Sequence, residues 1–276
     1  MTTEIPRLKV ENHLHLMLFS DRRYDCRVIT RSSHAVYINL NGRSLFTLLS
    51  DSSAEPNPVT AVTGNEIPQF FMQNDNFRVS GGFFSYKQKL FEFQPELVIQ
   101  KKISRIKIHN IVPTNLSTIE HWLKTHSEYG MSSFFQSEVT EFKKIIHPQL
   151  DQLASAFRRR HWNEFFKTLV SLSGCGPGLT PATDDFICGV LFTIHALECT
   201  SLPALRIIRE TWKRTNRISW YYIVSSLFGY CSPWQLRILN ELSSVLNQST
   251  LDSIEFGHTS GSDFLFGVWF MLDLTR

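Results

Sequence analysis

"AVYINLNGRSLFTLL", residues 35–49, sets Asn41-Gly42 between two runs of apolar and β-branched residues. The central residues of a tight hairpin turn need positive φ, which Asn and Gly adopt at little cost, so the stretch predicts two antiparallel strands. Around it lie "RVITR" (27–31), "DSSAEPNPVTAV" (51–62), "NFRVSGGFFSY" (76–86), "LFEF" (90–93), and "ELVIQ" (96–100) with "RIKIHNIV" (105–112). These are short β-branched and aromatic segments separated by turn residues. They predict an antiparallel β-barrel or sandwich over residues 1–114. A leading helix is expected before it, because Leu8, Val10, Leu14, Leu18 and Phe19 recur at near-helical spacing.

Near residue 115 the period changes from two to 3.6. Ser117-Thr118-Ile119-Glu120 matches a capping box that would start a helix running towards Gly130. Helices are also predicted within 132–146, 150–172, 182–198, 202–215, 219–230, 232–246 and 262–274. The fold class is therefore α+β, with a mainly β domain over 1–114 and a helical bundle over 115–276. No long linker divides them, so they are expected to pack together, and small-molecule pockets favour such boundaries.

Bulk properties narrow the function classes. The chain has 276 residues, 42% hydrophobic and 19% charged, which is ordinary globular composition. A formal net charge of +3 is too mild to argue for nucleic acid. Arg158-Arg159-Arg160 reads as a solvated helix face, and no RNA-binding aromatic pattern accompanies it. The five cysteines, Cys26, Cys175, Cys188, Cys199 and Cys231, form no C-x-x-C pair, so neither a zinc cage nor a disulfide framework is indicated. "MTTEIPRLKVENH" lacks a signal peptide's apolar run, and "FICGVLFTIHAL" and "FLFGVWFML" are shorter than the ~20 residues that span a bilayer. A soluble, cytoplasmic protein is expected, with no membrane or nucleic-acid partner.

The chemistry concentrates in "GCGPGLTPATDDF", residues 174–186. Gly174, Gly176 and Gly178 permit backbone conformations that a Cβ would block, and Thr180-Pro181 reads as a helix start with Thr180 as cap. A glycine-rich loop feeding a helix N-terminus can hold phosphate or carboxylate. It fits neither the P-loop nor the dinucleotide pattern. Asp184 and Asp185 could simply complement the helix dipole, so the stretch alone fits a structural turn as well as a ligand loop. "GHTSGSDFLFGV", residues 257–268, repeats the device: D-F-I-C-G-V at Asp185 aligns with D-F-L-F-G-V at Asp263. Close packing through Gly189 and Gly267 would bring both helix N-termini to one place, a shared anion site. The plainer alternative makes the glycines packing positions and the aspartates dipole caps.

In "KRTNRIS", residues 213–219, Lys213, Arg214 and Arg217 surround Thr215, Asn216 and Ser219. Asn216 is a candidate cap, and the functional alternative closes these groups over the same pocket. His258 could act as an acid or base, although a lone loop histidine more often only hydrogen-bonds. No G-x-S-x-G elbow occurs. Should a divalent metal bind, Asp184, Asp185 and Asp263 are the oxygen donors, suited to Mg²⁺ or Mn²⁺; no other cofactor is indicated.

"GCGPGLTPATDDFICG", "TNRIS" and "GHTSGSDFLFG", in that order, resemble the AllH-like family, long a domain of unknown function and associated with oxamate carbamoyltransferase of bacterial allantoin degradation. "AVYINLNGRSLFTLL" looks like that family's early strand pair. The resemblance implies one subunit of an enzyme acting with two other polypeptides. The implied reaction interconverts oxalurate plus phosphate with oxamate plus carbamoyl phosphate. On residue types, Gly174, Gly176, Gly178 and Thr180 would suit phosphate. Thr215, Asn216, Ser219, His258, Thr259 and Ser260 would suit the small carboxylate or amide substrate. Asp184, Asp185, Asp263 and His258 are the candidate catalytic groups. The chain departs from the family at Ala182 and Thr183, where a Ser and then a small or polar residue are usual, so either a donor has moved or the substrate differs. Two other readings stay open: a non-catalytic scaffold or carboxylate-binding subunit, and a metal-dependent hydrolase resting on the aspartates alone.

Overall fold

A computed structural model describes residues 7–11, 22–31, 35–42, 44–49, 61–63, 71–98, 101–103, 105–126, 129–252, 254 and 259–276. The chain divides into two compact units, Met1–Lys101 and Lys102–Arg276.

The first unit is a β-barrel. Strands β1 (Arg7–Glu11), β2 (Tyr24–Arg31), β3 (Ala35–Leu40), β4 (Ser44–Leu49), β5 (Ala61–Thr63), β6 (Asn76–Ser80), β7 (Phe83–Tyr86) and β8 (Lys89–Val98) close in the order β1-β5-β4-β3-β2-β6-β7-β8. The stretch β4-β3-β2-β6-β7-β8 is one curled antiparallel sheet, and β1 and β5 close it through parallel pairings with β8 and β4. The expected hairpin is present: Asn41 and Gly42 take φ of 49° and 71°, and β3 runs from Ala35↔Leu49 to Leu40↔Ser44 against β4.

Alternation fills the barrel. Cys26, Val28, Val36, Ile38, Leu40, Phe46, Leu48, Phe77, Val79, Phe84 and Phe91 are buried together. Outward neighbours such as Asp25 and Arg78 pair on the surface at 2.9 Å. Phe84 stacks on Phe91 at 4.6 Å, and the ring faces supply much of the interior contact.

Two expectations for this half change. Leu8 and Val10 of the predicted leading helix lie in strand β1, while Leu14, Leu18 and Phe19 fall outside the described residues. "RIKIHNIV" is not a strand: Ile108–Asn110 is a short 3-10 turn, with Ile106 N–H bonded to Ala196 O at 2.9 Å. Ile106 and Ile111 pack against the helical core instead.

The second unit is helical: α1 (Pro113–His126), α2 (Glu141–Arg158), α3 (Trp162–Ser171), α4 (Ala182–Leu197), α5 (Ala204–Trp212), α6 (Arg217–Leu227), α7 (Pro233–Glu241), α8 (Gln248–Asp252) and α9 (Ser260–Leu274). Helix α1 begins at Pro113, where the absent N–H costs nothing, so the capping-box residues Ser117 and Glu120 are interior. Glu120 instead pairs with Lys124 one turn on, at 2.6 Å. The helix expected over 132–146 is broken. Gly130–Phe135 is a 3-10 helix, Thr140 caps α2 through Lys143 N–H, and the buried Lys143 ammonium donates to Gln136 O and Glu138 O, fixing an extended link. The one expected over 150–172 divides at Arg160, whose φ is 58°.

Helices α4 and α9 form the centre. Both are apolar on nearly every face and are buried almost throughout. They cross at Gly189 and Gly267. A Cβ on Gly189 would fall on Phe264 O, and one on Gly267 on Phe186 O, so only glycine allows backbones this close. Phe186 packs edge-on against Phe270, and Phe192 against Phe264, along the same seam.

Candidate functional site

The close crossing sets the starts of α4 and α9 side by side. Thr180, in the loop before α4, and Ser260, the first residue of α9, share a hydrogen bond at 2.7 Å between their hydroxyls. Thr180 was expected to cap α4 from ahead of a first-turn Pro181. Instead Pro181 is the N-cap, with no side-chain cap bond, and the Thr180 hydroxyl is spent on the crossing to Ser260. Thr259 is the N-cap of α9 and likewise makes no side-chain cap bond; its carbonyl accepts from Asp263 N–H at 2.9 Å.

The glycine-rich loop is held from inside. Thr183, fully buried, donates to Leu172 O at 2.6 Å and lies 2.8 Å from Cys175 O, while its oxygen accepts from Cys175 N–H at 3.0 Å. The hydroxyl that marked the departure from the family pattern is therefore turned inward to lock the loop. Gly174 has φ of 85°, and a Cβ there would strike Arg214 O. Only glycine lets the loop lie against the 213–216 segment. Among the described residues no hydrogen bond engages the N–H of Gly176, which is half-buried, or of Gly178, which is exposed.

The three aspartates differ sharply in partners. Asp184 accepts from Gly174 N–H at 2.8 Å and from the Thr215 hydroxyl, so both its oxygens are occupied. Burial raises its pKa, and the Thr215 hydroxyl and Gly174 N–H draw it back. The Ser219 hydroxyl lies near enough to help, yet it is buried without a hydrogen bond. Asp184 thus ties the glycine loop to α6. Asn216 caps α6 by accepting from Ser219 N–H at 3.0 Å, as expected, and its amide reaches Leu179 O at 2.9 Å. Of the cations in that segment, Lys213 lies 3.9 Å from Glu210 and Arg217 sits over the Trp212 ring. Both are turned to local partners, and Arg214 is exposed.

Asp185 and Asp263 form a pair. Each Oδ2 is buried and, among the described residues, carries no hydrogen bond. Burial pushes the Asp185 pKa well up, and the neighbouring Asp263 carboxylate pushes it further; the hydroxyls of Thr180 and Ser260 lie close enough to offset part of this. Burial raises the Asp263 pKa to about 7, against the pull of the Met131 N–H. The Asp263 Oδ1 accepts from Met131 N–H at 2.5 Å. The turn at Gly130 is the site element that sequence reasoning missed. Its φ is 68°, and a Cβ there would strike the Asp263 carboxylate. Nothing at 130–131 resembles a motif, and the contact spans 132 positions, so only a glycine at a helix-free turn could have hinted at it.

His258 lies outside the described residues. Among the described residues no group of three or more His, Cys, Asp or Glu side chains could hold a metal ion. Asp184 faces Gly174 and Thr215, and so does not join the other two aspartates in a metal-ligand set. No described helix is long and apolar enough to cross a membrane.

Fold and site together bring two glycine-crossed helices to a common start over a buried acid pair, beside a glycine-rich loop. Residues 172–272 match the family model described as oxamate carbamoyltransferase subunit AllH, the family that the sequence motifs resemble. The match takes in α4, α6, α9 and the glycine loop, but neither the early strand pair nor the Gly130 turn. No solved structure gives a significant match.

Proposed function

We propose that this chain is a subunit of a carbamoyltransferase that interconverts oxalurate plus phosphate with oxamate plus carbamoyl phosphate, in bacterial allantoin degradation, and that its ligand site lies where α4 and α9 begin. The observation that carries the reading is the Thr180–Ser260 hydrogen bond above two buried carboxyl oxygens that lack partners among the described residues. A buried polar atom without a partner costs about 1–3 kcal/mol, a cost that a bound ligand would relieve. Gly176 and Gly178 N–H in the glycine-rich loop suit phosphate, and the half-buried Thr180, Thr259 and Ser260 line the way to the acid pair.

In the phosphorolytic direction a phosphate oxygen bonds to the carbamoyl carbon. The bond from that carbon to the oxamate nitrogen breaks, and the nitrogen keeps the electron pair and takes a proton. Negative charge builds on the carbamoyl oxygen as the phosphate adds, and donors fixed beforehand around it lower the barrier without reorganising. Helix starts and hydroxyls supply such donors, and no protein nucleophile is required. His258 is a further candidate acid or base beside Thr259.

The complex with the two partner subunits that the sequence resemblance implies should release phosphate from carbamoyl phosphate only when oxamate is present. A D185N/D263N double variant that kept full rate would sink the proposal.

A further inference from the structure

We infer that Asp185 and Asp263 together form a receptor for a primary carboxamide or carbamoyl group, Asp185 donating to its carbonyl oxygen and Asp263 accepting from its N–H. The inference rests on the ligand site proposed above and names the chemical group which that site recognises. A carboxamide end presents one acceptor and one donor side by side. A pair of carboxyl groups that shares one proton presents the complementary donor and acceptor, and a buried carboxylic acid is a competent hydrogen-bond donor.

Three observations support the pairing. Both Oδ2 atoms are buried and have no hydrogen-bond partner among the described residues, while Asp185 is 8% and Asp263 0% exposed. The two interact electrostatically, so both cannot readily be charged at once. Their surroundings are also unequal. The groups that face Asp185 are the carboxyls of Asp263 and Asp184 and the hydroxyls of Thr180 and Ser260, which leaves it the stronger proton holder. Asp263 faces the Met131 and Ser132 N–H groups and the Thr259 hydroxyl, all donors that favour its charged form. No lysine, arginine or histidine acts on either carboxyl among the described residues.

Asparagine variants separate the two roles. With Oδ1 of residue 263 fixed by Met131 N–H, D263N puts an N–H₂ where the free Oδ2 now lies and turns the acceptor into a donor. D185N, by contrast, still offers a donor. Isothermal titration of the full chain would compare oxamate with oxalate, which has the same carboxylate end but no N–H, and with inorganic phosphate. The wild type should bind oxamate at least about tenfold more tightly than oxalate. D185N should keep that preference and D263N should lose it. Equal binding of oxamate and oxalate by the wild type, or an unchanged preference in D263N, overturns the receptor while leaving the ligand site standing. If neither oxamate, oxalate nor phosphate binds, the ligand site fails and the receptor with it. Should D263N not fold, the wild-type comparison alone decides.

Discussion

Gly189 and Gly267 meet at the crossing of α4 and α9, where a Cβ on either would lie 3.1 Å from the other's Cα and fall on a main-chain carbonyl of the facing helix. This contact sets the spacing of the two helix starts, and through it the proximity of Thr180 to Ser260 and of Asp185 to Asp263.

Alanine at either glycine should therefore destabilise the helical unit, although alanine is the better helix former. The propensity gain of about 1 kcal/mol is outweighed by overpacking, which costs about 1–3 kcal/mol or more when a backbone must move. Urea unfolding of G189A and G267A should give lower midpoints than wild type. Unchanged or raised midpoints would mean that the helices can separate freely.

The buried acid Asp263 makes a pH prediction. Its pKa is raised from 3.8 to about 7 in the folded chain, so the folded state holds the proton more tightly than the unfolded one. The associated stability is present below pH ~4 and is lost as the pH climbs to about 7. Asparagine has nothing to titrate, so denaturation series between pH 5 and pH 8 should be flatter for D263N than for wild type. Parallel profiles would remove Asp263 from the account.

Thr183 should be structural, with its hydroxyl as the active element. T183V removes the hydroxyl that donates to Leu172 O and accepts from Cys175 N–H, leaving Cys175 N–H only its longer 3.2 Å bond to Leu172 O, at a cost of about 1–3 kcal/mol. T183S keeps the oxygen and should lose less. Hydrogen exchange at Cys175 N–H would register the difference, and equal protection in the two variants would contradict the lock.

Gly130 can be tested against a control. Gly81 also has positive φ, 57°, but a Cβ there would meet nothing within 4 Å, so G81A pays only for left-handed strain of about 1 kcal/mol. G130A carries the same strain and also collides with the Asp263 carboxylate. It should cost clearly more stability than G81A and weaken oxamate binding, as read by thermal unfolding with and without ligand. Equal costs in the two variants would show that the turn does not position Asp263.

Much of the fold is legible in the chain's periodicities, because alternation and helical spacing are local properties of the residues concerned. The β3–β4 hairpin needed only Asn41-Gly42 between apolar runs, and the Asn216 cap only its position before α6. Ser117–Glu120 misled because a capping box is a local signal that an earlier Pro113 start overrode. The residues 132–146 misled because Lys143, folded back on two carbonyls, favours a break that spacing does not register.

The sequence by itself determined that two matched helix starts, each with an aspartate and a glycine one turn on, lie in one helical half. Only the tertiary structure decided what each aspartate does. Asp184 is used up by Gly174 and Thr215, whereas Asp185 and Asp263 each keep an oxygen with no partner among the described residues, the latter against the turn at Gly130. A carboxyl group's charge and availability depend on desolvation and on hydrogen-bond donors, and here those come from residues distant in sequence, which no local pattern encodes.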